Sequence, residues 1–177
     1  MREAPTRAGT PPDREKPGSH DAEDSSAERR RLVYAPAADL DRWQCRPLGS
    51  IEALDLRDRP VGRLDGIVVD RAENRPIYLV IAKQSAADQR PRRWFLVPVG
   101  DAWFDDTERT VRIDASPGER IPFDPRQFAR MTPEQADEYE RRVLAACCPD
   151  VGFHRDGRPD YAKVKQFTCP EWLHPVE

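Results

Sequence analysis

The chain has 177 residues, 34% of them charged and only 38% hydrophobic, with 18 prolines and a net charge of −3. That length accommodates one ordinary domain with tails, and the low apolar fraction places part of the chain outside any core. The slight acidic balance argues against a general nucleic-acid binder, which presents a basic face.

Residues 1–36 mix Pro, Gly, Ser, Ala and charges of both signs, with almost no large apolar side chain. Such a segment buries too little surface to offset an ordering cost of roughly 1–2 kcal/mol per residue, and it reads as a disordered tail. Its first twenty residues lack an apolar signal region. Nowhere does an apolar run approach the roughly 18 residues that a membrane helix needs. The chain therefore reads as cytoplasmic, and its four cysteines as free thiols or metal ligands rather than a disulfide framework. The run "ERRR" at 28–31 reads as a solvated charge cluster.

From residue 47 the pattern turns to β. In "SIEALDL" a period of two puts Leu54 and Leu56 on one face and Ile51 and Ala53 on the other. "RDRP" at 57–60 offers a turn. "VGRLDGIVVD" follows as a strand whose phase shifts near Gly66, the mark of a bulge. Asp70 opens the next turn, where its carboxylate can accept a backbone N–H, and with Asp65 it reads as a turn and surface acid. "IYLVIAK" is apolar on both faces, as a central strand is. "RWFLVPVGDAWF" holds Pro98, which ends pairing or bends the strand. "TVRIDA" and "ERIPFD" complete five or six short strands, a spacing that predicts a small antiparallel barrel or sandwich.

"MTPEQADEYERRVLAACCP" then shifts to a helical period over 132–147. Thr132 is a fit N-cap, Pro133 suits the first turn, Gln135 completes a capping box, and Pro149 stops the helix. Ala136, Tyr139, Val143 and Leu144 form its apolar stripe, which the barrel would cover. Residues 148–177 read as an extended segment wrapped on the domain or on a partner.

Residues 47–128 resemble the PRC-barrel, a small β-barrel named for the cytoplasmic domain of the photosynthetic reaction-centre H subunit. The resemblance rests on "VGRLDGIVVD", then "YLVIA" one turn later, then "LVPVGD" at 96–101, and on the exit "IPFDPRQFARMTPEQADEYERRV". It implies a mainly β protein, an antiparallel barrel followed by one helix, that acts as a docking module for a protein partner or assembly.

The sharper chemistries find less support. No G-x-S-x-G, P-loop or GxGxxG occurs. Pairing Cys147 with a C-terminal histidine as a nucleophile is weakened by its place at a helix C-terminus, where the dipole disfavours a thiolate. The chain reads as non-enzymatic and without a cofactor. Cys147, Cys148, His154, Cys169 and His174 are all of zinc-ligand type, but their spacing is not that of a zinc finger. "QRPRRWF" interleaves charge and aromatic groups, as a nucleic-acid- or ribosome-associated loop would. The composition equally suits a protein interface, and Arg92, Arg93, Trp94, Trp103 and Phe104 are the expected partner-binding anchors. Pairing with a second copy through an exposed barrel edge stays open.

Overall fold

The computed structural model describes residues 30–39, 51–83, 93–105, 107–114, 121–170 and 173. Residues 1–29 of the expected tail, and the loop over 84–92, lie outside the described residues. Among the described residues, eight strands form one sheet: β1 (Leu32–Pro36), β2 (Glu52–Asp55), β3 (Pro60–Asp70), β4 (Arg75–Ala82), β5 (Trp94–Pro98), β6 (Ala102–Asp105), β7 (Thr110–Ile113) and β8 (Ile121–Phe123). Two helices follow, α1 (Pro125–Ala129) and α2 (Pro133–Cys147).

The strand order is β6-β7-β2-β3-β4-β5-β8, with β1 joined to β3 outside that path. β3 is the spine. Its 11 residues pair with β4 along one edge, while β2 and then β1 share the other. The expected bulge is present, because the β3–β4 register slips between Leu64 and Gly66. Gly66 also lets β1 come close. A Cβ there would collide with the Ala35 carbonyl and lie 2.6 Å from a Tyr34 ring carbon. β4 is buried on both faces from Pro76 to Ile81, as its unbroken apolar run requires. Pro98 closes β5, and a 3-10 turn at Val99–Asp101 swings the chain into β6.

Two expectations are corrected. The sheet is mixed rather than antiparallel, since β2 and β7 run parallel, Glu52 opposite Thr110 and Asp55 opposite Ile113. Residues 32–36, assigned to the tail by composition, form β1, whose Val33 and Ala35 stand opposite Val69 and Ile67 of β3. A neighbouring strand supplies the hydrogen bonds that make so short a segment stable.

The sheet separates two apolar clusters. The first gathers Ile51, Ala53, Val61, Leu64, Ile67, Leu79, Ile81, Val97, Val111 and Ile113 from β2 to β7, and Leu173 of the C-terminal segment joins it. The second packs Val68, Tyr78, Val80, Leu96 and Phe123 against Phe128, Ala136, Val143 and Leu144 of the helices. Each such aliphatic side chain contributes roughly 1.5–3 kcal/mol when fully buried. α2 starts as its sequence dictates: Thr132 accepts from Gln135 N–H, and the Gln135 side chain accepts from Thr132 N–H. The C-terminal segment then lies along this layer. It pairs Phe153 with Pro159, makes 3-10 turns at Tyr161–Lys163 and Lys165–Phe167, and buries Tyr161 and Phe167 with their rings tilted against each other at 4.6 Å. Gly100 lets that segment approach, because a Cβ there would strike the Lys165–Gln166 backbone.

Candidate functional site

Of the five expected anchors, the four that are described do not share one exposed surface. Arg92 lies outside the described residues, and Arg93 is exposed just before β5. Trp94 is partly buried against the second cluster, and its indole N–H donates to Asp65 Oδ2 at 2.9 Å. The same oxygen accepts from Tyr34 O–H at 2.8 Å, so Asp65 ties β1, β3 and β5 together. This contact and burial push the Tyr34 hydroxyl well above its ordinary value, burial first. Trp94 is thus a structural residue, not a free anchor. Phe104 packs against the first cluster.

Trp103 is different. It is 50% exposed on β6, the strand at one end of the sheet order, with four strands between it and β5. Register places Trp103 opposite Arg112 of β7, and Arg112 opposite Leu54 of β2. Arg112 contacts Asp58 at 3.0 Å, Asp105 at 3.1 Å and Glu108 at 3.0 Å, holding two turns against the strand pair. Leu56, just past β2, is 57% exposed. Trp103, Arg112, Asp58 and Leu56 are therefore presented on or beside the β6–β7–β2 strands. Arg112 was missed in the sequence because alternation marked "TVRIDA" as a strand without showing which polar residue would gather acids.

The zinc candidates are scattered. Cys147 and Cys148 end α2 against the second cluster, whereas Cys169 packs on the first. His154 sits half-exposed in the 153–159 turn, 3.9 Å from Asp160. His174 lies outside the described residues. Among the described residues, no group of three or more His, Cys, Asp or Glu side chains is placed to hold a metal ion.

A buried charge junction went unnoticed in the sequence. The Arg31 guanidinium donates to Asp70 at 2.5 Å and to Glu140 of α2, and Tyr161 O–H donates to the other Glu140 oxygen. Asp70 and Glu140 are each 2% exposed, which corrects the surface role expected for Asp70. Its turn role holds, for Asp70 Oδ1 accepts from Ala72 N–H at 2.9 Å. Arg30 beside it donates to the Phe128 and Ala129 carbonyls at the end of α1. The two described arginines of the "ERRR" run, Arg30 and Arg31, are thus structural rather than solvated.

Burial dominates at Glu140 and pushes its carboxyl up to about 7, against the pull of Arg31 and the Tyr161 hydrogen bond. Arg31 itself is strengthened as a cation, its two carboxylates outweighing its own desolvation. The two directions fit one arrangement: Arg31 sees two acids, while Glu140 sees one guanidinium shared with Asp70. The available signal was Glu140's spacing, four residues from both Ala136 and Leu144, which puts a carboxylate inside the apolar stripe.

Comparison with known protein families and with characterised proteins returns no match to this chain. Among the described residues, no helix is long and apolar enough to cross a membrane.

Proposed function

We propose that this chain is a non-enzymatic adaptor of PRC-barrel type that docks on a protein partner through the exposed side of β6, β7 and β2. The observation that carries this reading is Trp103, a large aromatic half-exposed on an end strand beside an arginine already held in place. Trp and Arg are the side chains most often found as energetic anchors of interfaces. Arg112 reaches an incoming partner with less side-chain freedom to lose, because three carboxylates orient it. The family resemblance is supported by the first cluster, where side chains from β2 to β7 meet in one interior, as in a small barrel filled by its own side chains. The nucleic-acid alternative loses support at Trp94, which packs against the second cluster and gives its indole N–H to Asp65.

The test compares capture by the full chain and by Trp103→Ala from nuclease-treated and untreated halves of a native lysate, with Tm of both proteins measured alongside. A protein held by the wild type and lost by Trp103→Ala at unchanged Tm supports the reading. An identical set of captured proteins overturns the assignment of Trp103 as the anchor. Ligands lost on nuclease treatment, with steep salt dependence, replace it with nucleic-acid association.

A further inference from the structure

α2 ends in two adjacent thiols that no step of the docking reading uses. Cys147 is the last residue of the helix and Cys148 its C-cap, at φ −144° and ψ 63°, so the chain leaves helical geometry between one sulfur and the next. Cys147 is partly exposed, while Cys148 is buried in the second cluster with Tyr78, Tyr161 and Phe167. The two side chains belong to adjacent residues at the helix end. Interaction with its neighbour lowers the Cys147 thiol, against its partial burial, and raises Cys148, whose burial adds to the rise. It also offsets the negative helix end, which by itself disfavours a thiolate. The pair is therefore asymmetric, with a partly exposed cysteine that ionises first and a buried neighbour beside it.

We propose that Cys147 and Cys148 are a redox-active vicinal dithiol, which a hydroperoxide oxidises reversibly to a disulfide. The Cys147 thiolate attacks one peroxide oxygen and the O–O bond breaks. The departing hydroxide takes up a proton as water, and a sulfenic acid remains on Cys147. Cys148 sulfur then displaces that oxygen: the S–S bond forms, the S–O bond breaks, and the second water leaves with the Cys148 proton. Two thiols have lost two electrons and two protons, and one hydrogen peroxide has become two waters.

Consecutive Cα atoms lie about 3.8 Å apart, below the roughly 4.4–6.8 Å that disulfides favour, so the bond formed is readily reduced again. It moves Cys148 sulfur within the buried cluster that also holds Tyr161 and Phe167. Oxidation thus acts on the segment that α2 holds against the sheet. Cys169 packs on the other cluster and is not the geometric partner.

The experiment treats the full native chain with dilute hydrogen peroxide, alkylates it, and maps the tryptic peptide running from Val143 to Arg155 by mass spectrometry. The expected product is that peptide two hydrogens lighter, unalkylated, and restored by dithiothreitol. In Cys148→Ser, dimedone traps a sulfenic acid on Cys147. In Cys147→Ser, Cys148 stays reduced under the same treatment. Full alkylation of both thiols after peroxide, a cross-link from either cysteine to Cys169 or Cys45, or equal trapping in both variants each overturns the proposal. Because the wild-type map needs no variant, a variant that fails to fold leaves the central outcome decided.

Discussion

Arg31 and Arg112 both gather carboxylates from distant parts of the chain, in opposite surroundings. Arg31 joins the start of β1, the β3–β4 turn and α2, with side-chain exposures of 13% for the arginine and 3% and 2% for its acids. Arg112 joins the β2–β3 turn, β6 and the β6–β7 turn, with exposures of 31% for the arginine and 33–69% for its acids. The chemistry is the same; the solvent is not. Water screens the Arg112 hub and would solvate its acids if the arginine left. The Arg31 hub has no such reserve, so each of its members becomes costly once unpaired.

The sharpest way to break the comparison is to remove Arg31. In Arg31→Ala, Asp70 and Glu140 remain buried without their cation, and the loss of a buried partner typically costs about 3–5 kcal/mol. Urea unfolding at pH 7 measures it. A loss below about 1 kcal/mol would mean that water reaches the junction and that the two hubs are alike. The cleft over Glu140, lined by Arg31, Asp137, Arg141, Phe153 and Arg158, is the route by which it would enter.

Proton linkage sharpens the contrast with a sign as well as a size. Glu140 is held at about 7 in the fold, against 4.5 ordinarily, so the folded chain binds this proton more tightly. Its contribution to stability is fully present below about pH 4.5 and is lost as pH rises through about 7. A difference of about 2.5 pK units corresponds to about 3 kcal/mol. Asp55 works in the other direction. The Arg59 hydrogen bond lowers it to about 2, so its contribution is lost on acidification. Comparing wild type with Glu140→Gln in denaturant at a series of pH values isolates the Glu140 part. The wild type should lose stability relative to the variant between pH 5 and 8. A constant difference across that range would mean that Arg31 and Asp70, with Tyr161 and the flanking Asp137 and Arg141, hold Glu140 as an ordinary carboxylate.

What the sequence made legible follows the same division between local and distant causes. The capping box at Thr132, the bulge near Gly66 and the two-sided burial of β4 each depend on residues a few positions apart, and pattern reading recovered them. The parallel β2–β7 pair joins segments about fifty-five residues apart, and neither carries a local mark of direction. β1 hid in a polar tail because five residues gain their strand geometry only from β3. "WF" occurs twice with different outcomes: Trp94 lies in β5 between β4 and β8, and Trp103 on β6 at the end of the sheet order. Composition gave both the same weight as anchors. Sheet position separates them, and it is set by partners that the dipeptide does not encode.

The mildest substitution tests the other half of the comparison. Arg112→Ala removes three ion pairs at once, a larger count than Arg31→Ala, yet Asp58, Asp105 and Glu108 all face water afterwards. Asp105 also keeps its backbone partners, accepting from Thr107 N–H at 3.0 Å and Glu108 N–H at 3.1 Å, so the β6–β7 turn retains its internal bonds. The expected fall in Tm is no more than a few degrees, and it shrinks further in high salt because exposed pairs are screened within about 10 Å at 0.1 M. Thermal melts at low and high ionic strength read both features. A drop matching that of Arg31→Ala, insensitive to salt, would mean that Arg112 braces the strand pair through the packing of its stem and not through charge. The surface offered by Trp103 would then be a rigid extension of the core, and the docking variant would have to spare Arg112 to keep that surface intact.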